Sequence, residues 1–151
     1  MTMNQSAWAP FMNLLSRPDN FISHQAARIT AKLTSWGKLR FSADERAAYL
    51  SWLTRQITTT NAEWLTASSS ALMIILRVDD NRQAVIEMGL VQQLLEILKQ
   101  NIGGFQLQYQ IICCFWLISF SCPNELLKHG VTVPACDILR ESEKQKVQIN
   151  N

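Results

Sequence analysis

Two stretches of this 151-residue chain lie over each other without a gap. ALMIILRVDDNRQAVIEMGLVQQLLEIL begins at Ala71, and ICCFWLISFSCPNELLKHGVTVPACDIL begins 41 positions later at Ile112. Leu72 falls on Cys113, Ile74 on Phe115, Leu76 on Leu117 and Gly89 on Gly130, while Ile97 and Leu98 fall on Ile138 and Leu139. Each stretch reads as a long helix, a short helix, a glycine and another helix. Gly89 and Gly130 are placed to end the short helices, where the chain needs a left-handed residue that only glycine adopts freely. Asp79 and Asn124 are expected at or beside the N-caps of those short helices. A weaker third copy lies upstream, with Leu33 at the position of Ile74 and Leu53 at that of Leu94. The 3.6-residue spacing predicts a helix from Asn20 to Trp36, with Ile22, Ala26, Ile29, Leu33 and Trp36 on its apolar side. It predicts another from Ala43 to Thr59, with Tyr49, Leu50, Leu53 and Ile57 turned to the core. The glycine has no counterpart in this copy.

A period near 40 to 47 residues built from two or three helices is characteristic of HEAT and armadillo repeats. The expectation is an all-α, armadillo/HEAT-like helical solenoid of about three ~41-residue repeats, wound as a right-handed superhelix and filling one domain, 1–151. The last repeat carries no charge from Gln100 to Asn124. Its apolar run, Ile111 to Leu117, is far shorter than the roughly 20 residues a membrane span needs. Gln106, Gln108 and Gln110 would also be costly in hydrocarbon, so direct membrane insertion is not expected. Gln106 to Phe120 instead reads as an inner helix covered by neighbours on both sides, entered through a break at Gly103 and Gly104. The opening segment MTMNQSAWAPF lacks the pattern of a secretory signal. Trp8 within it is expected in a short helix that caps the first repeat, and Trp36, Trp52, Trp64 and Trp116 are expected in the core.

The search for chemistry returns little. A net charge of +2 gives no electrostatic case for nucleic acid. The two histidines, His24 and His129, fall on different repeats. Asp79 and Asp80 sit between Arg77 and Arg82, where capping and ion pairing account for them. Cys113, Cys114, Cys122 and Cys136 form no CxxC pair and read as small packing residues. No phosphate-cradling glycine motif occurs. No catalytic residue, cofactor site or metal site is expected, and the chain does not read as an enzyme.

Five blocks occur in order: DNFISHQAARI (19–29), YLSWL (49–53), LRVDDNR (76–82), GFQLQYQ (104–110) and ILRESEKQKV (138–147). Together, from Trp8 to Val147, they resemble the H-subunit family of the vacuolar-type proton ATPase. The resemblance implies a non-catalytic regulatory component of the pump, docked on the peripheral stalk (the E and G subunits) and supporting coupled ATP hydrolysis and proton transport. It implies a cytoplasmic location, on vacuolar, lysosomal and endosomal membranes by way of the pump. Family members continue beyond Lys146 and Val147 with further repeats and a C-terminal domain on which silencing of hydrolysis leans. The chain therefore corresponds to the N-terminal part, and Val133, Ile138 and Leu139 are expected to face solvent at an open end.

For partner binding, His24, Arg28 and Lys32 recur every four residues opposite the apolar side expected for their helix. Two readings stay open: a solvated basic face, or a docking strip for an acidic partner helix. Arg17 and Arg55 are candidate neighbours of this strip. A solenoid adaptor in membrane trafficking is the alternative function. Importin-type armadillo proteins carry tryptophan and asparagine four residues apart on inner helices. Here Trp116 is followed by Phe120 and Ile75 by Asp79, which counts against cargo binding of that kind.

Overall fold

The computed structural model describes residues 7–37, 40–100 and 103–150. These residues are helical and carry no strand: α1 (Ala9–Leu15), α2 (Asn20–Ser35), α3 (Ala43–Ile57), α4 (Ala62–Ile75), α5 (Asp79–Glu87), α6 (Leu90–Gln100), α7 (Phe105–Ser119), α8 (Pro123–Lys128) and α9 (Thr132–Asn150).

Local chemistry sets most of the boundaries. Asp19 caps α2 by accepting from the Ile22 amide at 3.1 Å, and Asn61 caps α4 by accepting from Trp64 at 3.1 Å. Ser42 and Glu45 form a reciprocal capping box on α3, each side chain accepting from the other residue's amide at 3.2 and 2.9 Å. Pro10 and Pro123 stand in the first turns of α1 and α8, where a missing N–H costs nothing. Gly89 and Gly130 terminate α5 and α8 with φ of 75° and 69°, as their alignment predicts. Asp79 and Asn124 fall just inside their helices, behind Val78 and Cys122 as caps.

The helices form two layers. In one, α4 lies between α2 and α7; in the other, α3, α6 and α9 follow one another, with α5 packed on α3 and α6. The core lies between the layers, where Leu50, Leu53, Leu65, Leu72, Ile75 and Leu94 are fully buried. All four core residues expected on α3 are buried, as is Trp52. Trp8 is buried just ahead of α1, donating from Nε1 to the Arg40 carbonyl at 3.0 Å and packing on Phe41 with 4.9 Å between ring centroids. It closes the first repeat as expected.

Three expectations need correction. On α2 the buried side is Ser23, His24, Ala26, Ala27, Thr30, Ala31 and Thr34, whereas Ile22, Ile29 and Trp36 are exposed. Small side chains let α4 approach closely, and the hydroxyls satisfy themselves within the helix. Thr30 donates to the Ala26 carbonyl at 2.7 Å and Thr34 to Thr30 at 2.9 Å. Second, Trp36 and Trp116 are 67% and 61% exposed, and Trp64 is half-buried. Third, α7 is covered on one side only. Leu107, Ile111, Cys114, Phe115 and Ile118 are buried, but Tyr109, Trp116 and Phe120 face solvent. Along α9, Val133 and Leu139 are exposed and Ile138 is half-buried.

Candidate partner-binding surface

The five residues singled out for docking divide into three groups. His24 is buried, at 2% exposure, and does not belong to a solvated strip. Its Nδ1 lies 2.7 Å from the Asn20 carbonyl and its Nε2 3.2 Å from Ser68 Oγ on α4. The ring stacks on Trp64 at 4.7 Å and meets Trp52 edge-on at 5.0 Å. Burial lowers the imidazole pKa, outweighing the Asn20 carbonyl, which raises it. The neutral ring therefore fastens α2 to α3 and α4. The fourfold spacing from His24 to Arg28 and Lys32 placed it on a basic face because nothing in the sequence announced the small-residue packing of α2.

Arg28 and Lys32 remain on the open side of α2, Arg28 half-buried and Lys32 exposed. Phe21 and Trp36, both more than 60% exposed, flank them along the helix. The surface is thus apolar and basic together. Arg17 and Arg55 form the third group. Arg55 on α3 lines a shallow cleft with Met12, Ser16 and Trp52, and Arg17 follows Ser16 in the chain. Both are exposed.

The charged LRVDDNR block performs structural work. Arg82 is buried and donates from Nε to the Leu76 carbonyl at 2.8 Å and from Nη1 to Ser121 Oγ at 2.9 Å, and it pairs with Asp79. Its guanidinium stands 5.7 Å from the centre of the Phe120 ring. Asn81 donates to the Ile75 carbonyl at 2.9 Å and accepts from Arg46 Nε on α3 at 2.8 Å. Arg46 also faces Asp80 at 3.9 Å. These bonds tie one repeat to the next, and the two aspartates are spent on neighbouring arginines. Among the described residues no three of His, Cys, Asp and Glu are grouped to hold a metal. No described helix is long and apolar enough to cross a membrane.

Sequence reasoning missed the exposed row on α7. Tyr109, Trp116 and Phe120 follow one stripe of the helix, with Trp116 and Phe120 edge-to-face at 5.0 Å. Cys113 lies in the same stripe and hydrogen-bonds Tyr109, which raises the phenol's pKa. Cys114 is buried, and desolvation pushes its thiol pKa well up, so it is inert packing. The signal for the row was present as aromatic spacing, but the absence of charge pointed to burial.

The family model of the V-ATPase H subunit matches residues 2–148. The chain belongs to the V-ATPase H-subunit family. It is 35% identical over 150 residues to the H subunit of the V-type proton ATPase of Drosophila melanogaster, an alignment covering 96% of this chain and 31% of the fly protein. Two Caenorhabditis elegans proteins, the probable V-type proton ATPase H subunits 2 and 1, are 33% and 28% identical over 147 and 149 residues. Those alignments cover 95% and 96% of this chain and 31% and 33% of the worm proteins. The chain spans about a third of the length of the curated relatives it matches. In this H-subunit chain the charged residues that tie the repeats together are accounted for by the hydrogen bonds and ion pairs of the fold.

Proposed function

We propose that this chain is a non-catalytic regulatory part of the vacuolar proton pump. It docks on the peripheral stalk, built of the E and G subunits, on the cytoplasmic side of the membrane, and so supports coupled ATP hydrolysis and proton transport. The observation that carries this reading is the match of residues 2–148 to the H-subunit family together with an all-helical repeat scaffold. Helices already ordered by stacking give up little conformational entropy on binding, so a long surface of modest contacts suffices. The open side of α2, with Arg28 and Lys32 between Phe21 and Trp36, supports docking to a partner helix of acidic, amphipathic character.

The test is titration of the purified chain into the reconstituted E–G heterodimer at physiological salt, with a complete H subunit as control. Binding within about tenfold of the control is expected, weakening as salt rises because exposed charges are screened over roughly 8 Å at that ionic strength. A folded chain that fails to bind moves the docking site outside these residues and overturns the reading.

A further inference from the structure

The exposed side of α2 carries a seven-residue repeat. Ile22, Ile29 and Trp36 stand seven residues apart and are 42%, 47% and 67% exposed. Trp36 lies one residue past the end of α2, but its amide still donates to the Lys32 carbonyl at 3.0 Å, so it stays on the helical path. Three residues after the isoleucines come Gln25 and Lys32, and one residue before them stand Phe21 and Arg28. In heptad terms Ile22, Ile29 and Trp36 hold the a positions, Gln25 and Lys32 the d positions, and Phe21 and Arg28 the flanking g positions. The seam from Ile22 to Trp36 is about 21 Å long.

α2 packs into the molecule through its other side. Ser23, His24, Ala27, Thr30, Ala31 and Thr34 are buried there, and His24 bonds to Ser68 on α4 at 3.2 Å. That contact fixes the rotation of α2 and holds the seam outward, so a partner meets a preformed surface. The charges are equally one-sided. No acidic residue occurs from Asn20 to Gly37. Among the described residues neither Arg28 nor Lys32 has an ion-pair partner, and Arg28 Nε has no hydrogen-bond partner. Arg46 and Arg82, by contrast, are held by the aspartates of α5. A carboxylate brought by a partner meets two unpaired cations.

We propose that α2 is one half of an intermolecular two-helix coiled coil: its seam takes an amphipathic partner helix with apolar residues at a and d and acidic residues at e and g, the acidic edge along Arg28 and Lys32. Apolar residues at seven-residue spacing suit knobs-into-holes packing at a crossing angle near 20°, not an extended peptide. A narrow seam with two cations also fits a helix better than a lipid surface, which takes a broad apolar face rich in basic residues. Lys32 at a d position weakens the pairing and selects against a basic partner. The proposal rests on the docking reading above and deepens it, adding the register and the chemistry of the partner.

The test uses two synthetic 21-residue helices of three heptads, both with leucine at a and d, one with glutamate and the other with lysine at e and g. Like charges keep each helix from pairing with itself. Fluorescence anisotropy of the labelled helix reads its binding to the chain. The glutamate helix is expected to bind at least tenfold more tightly than the lysine helix. Ile29→Ala should weaken that binding tenfold or more, and Lys32→Glu about fivefold with a smaller salt dependence. Leu127→Ala, an exposed apolar change on α8, should leave it unaltered. All three side chains are exposed, so the variants retain the fold, which far-UV circular dichroism checks. Equal binding of the two helices, binding of neither, or an unaffected Ile29→Ala chain would overturn the seam. So would Ile29-dependent sedimentation with vesicles of phosphatidylcholine and phosphatidylserine by a chain that ignores the glutamate helix. Stalk binding without binding of the glutamate helix defeats the seam and leaves the docking reading standing; the reverse result upholds the seam and defeats the docking reading alone.

Discussion

His24 shows how one side chain can change meaning between a helical wheel and a packed helix. Its ring is enclosed by Trp52 and Trp64 and fixed at both nitrogens. Burial lowers its folded-state pKa below the ordinary 6.5, so the unfolded chain takes up the proton first as pH falls. The stability this contributes is present above pH 6.5 and is lost as pH drops from there toward the folded pKa. Thermal melts of the chain should therefore fall between pH 7.5 and 5.5, and His24→Gln should flatten that difference. A wild-type chain whose melting point is unchanged over this interval would contradict the neutral, buried histidine. His24→Ala also empties a packed site and should cost about 2–4 kcal/mol in urea unfolding at pH 7.5. Arg82→Met removes four hydrogen bonds, to the Leu76 and Arg77 carbonyls, Ser121 and Asp79, and should cost about 2–3 kcal/mol in the same measurement.

At the scale of the element, the boundaries were legible because local chemistry writes them. The capping box of Ser42 and Glu45, the Asp19 and Asn61 caps and the glycines after α5 and α8 all follow from rules of a few residues. The orientation of α3 was legible too, since Tyr49, Leu50, Leu53 and Ile57 are both its most apolar residues and its buried ones. The orientation of α2 was not. Ser23, Thr30 and Thr34 hide their polarity by bonding to their own helix, so hydropathy points away from the side that packs. On α7 the same rule failed in the other direction, because the uncharged helix is buried on one side only and leaves Tyr109, Trp116 and Phe120 exposed. Backbone geometry gives a sharp prediction at this scale. Gly89→Ala forces a β-carbon into φ of 75° and should cost about 1–2 kcal/mol, although nothing lies within 4 Å of that carbon. Gly104→Ala, with φ of −91° and equally open space, should fall within about 0.5 kcal/mol of wild type. Equal costs for the two in urea unfolding would show that the turn after α5 tolerates a side chain.

For the whole molecule, repeat stacking predicts an uneven distribution of stability. Each helix in a solenoid is held by its neighbours, so α4, flanked by α2 and α7 and backed by α3, should be the most protected element. Among its described residues α9 buries none completely, and it should open at little cost. Native-state hydrogen exchange should find the slowest amides in α4, exchanging near the global unfolding free energy, and much faster amides throughout α9. Comparable protection of the two would mean that the repeats unfold as a single unit. The 41-residue period was legible because it repeats in both spacing and hydrophobicity. The α2 surface proposed for docking was only half legible, because Arg28 and Lys32 stand out in the sequence whereas the burial of His24 emerges only once α4 is in place.

The most direct measurement of docking through the open side of α2 is site-specific photo-cross-linking to the E–G heterodimer. A photoreactive amino acid at position 32 faces the proposed partner, and one at position 139, on the exposed side of α9, serves as the control. The account predicts efficient cross-linking to a stalk helix from position 32 and little from position 139. Cross-links from position 139 with none from position 32 would place the docking surface on the opposite layer and contradict it.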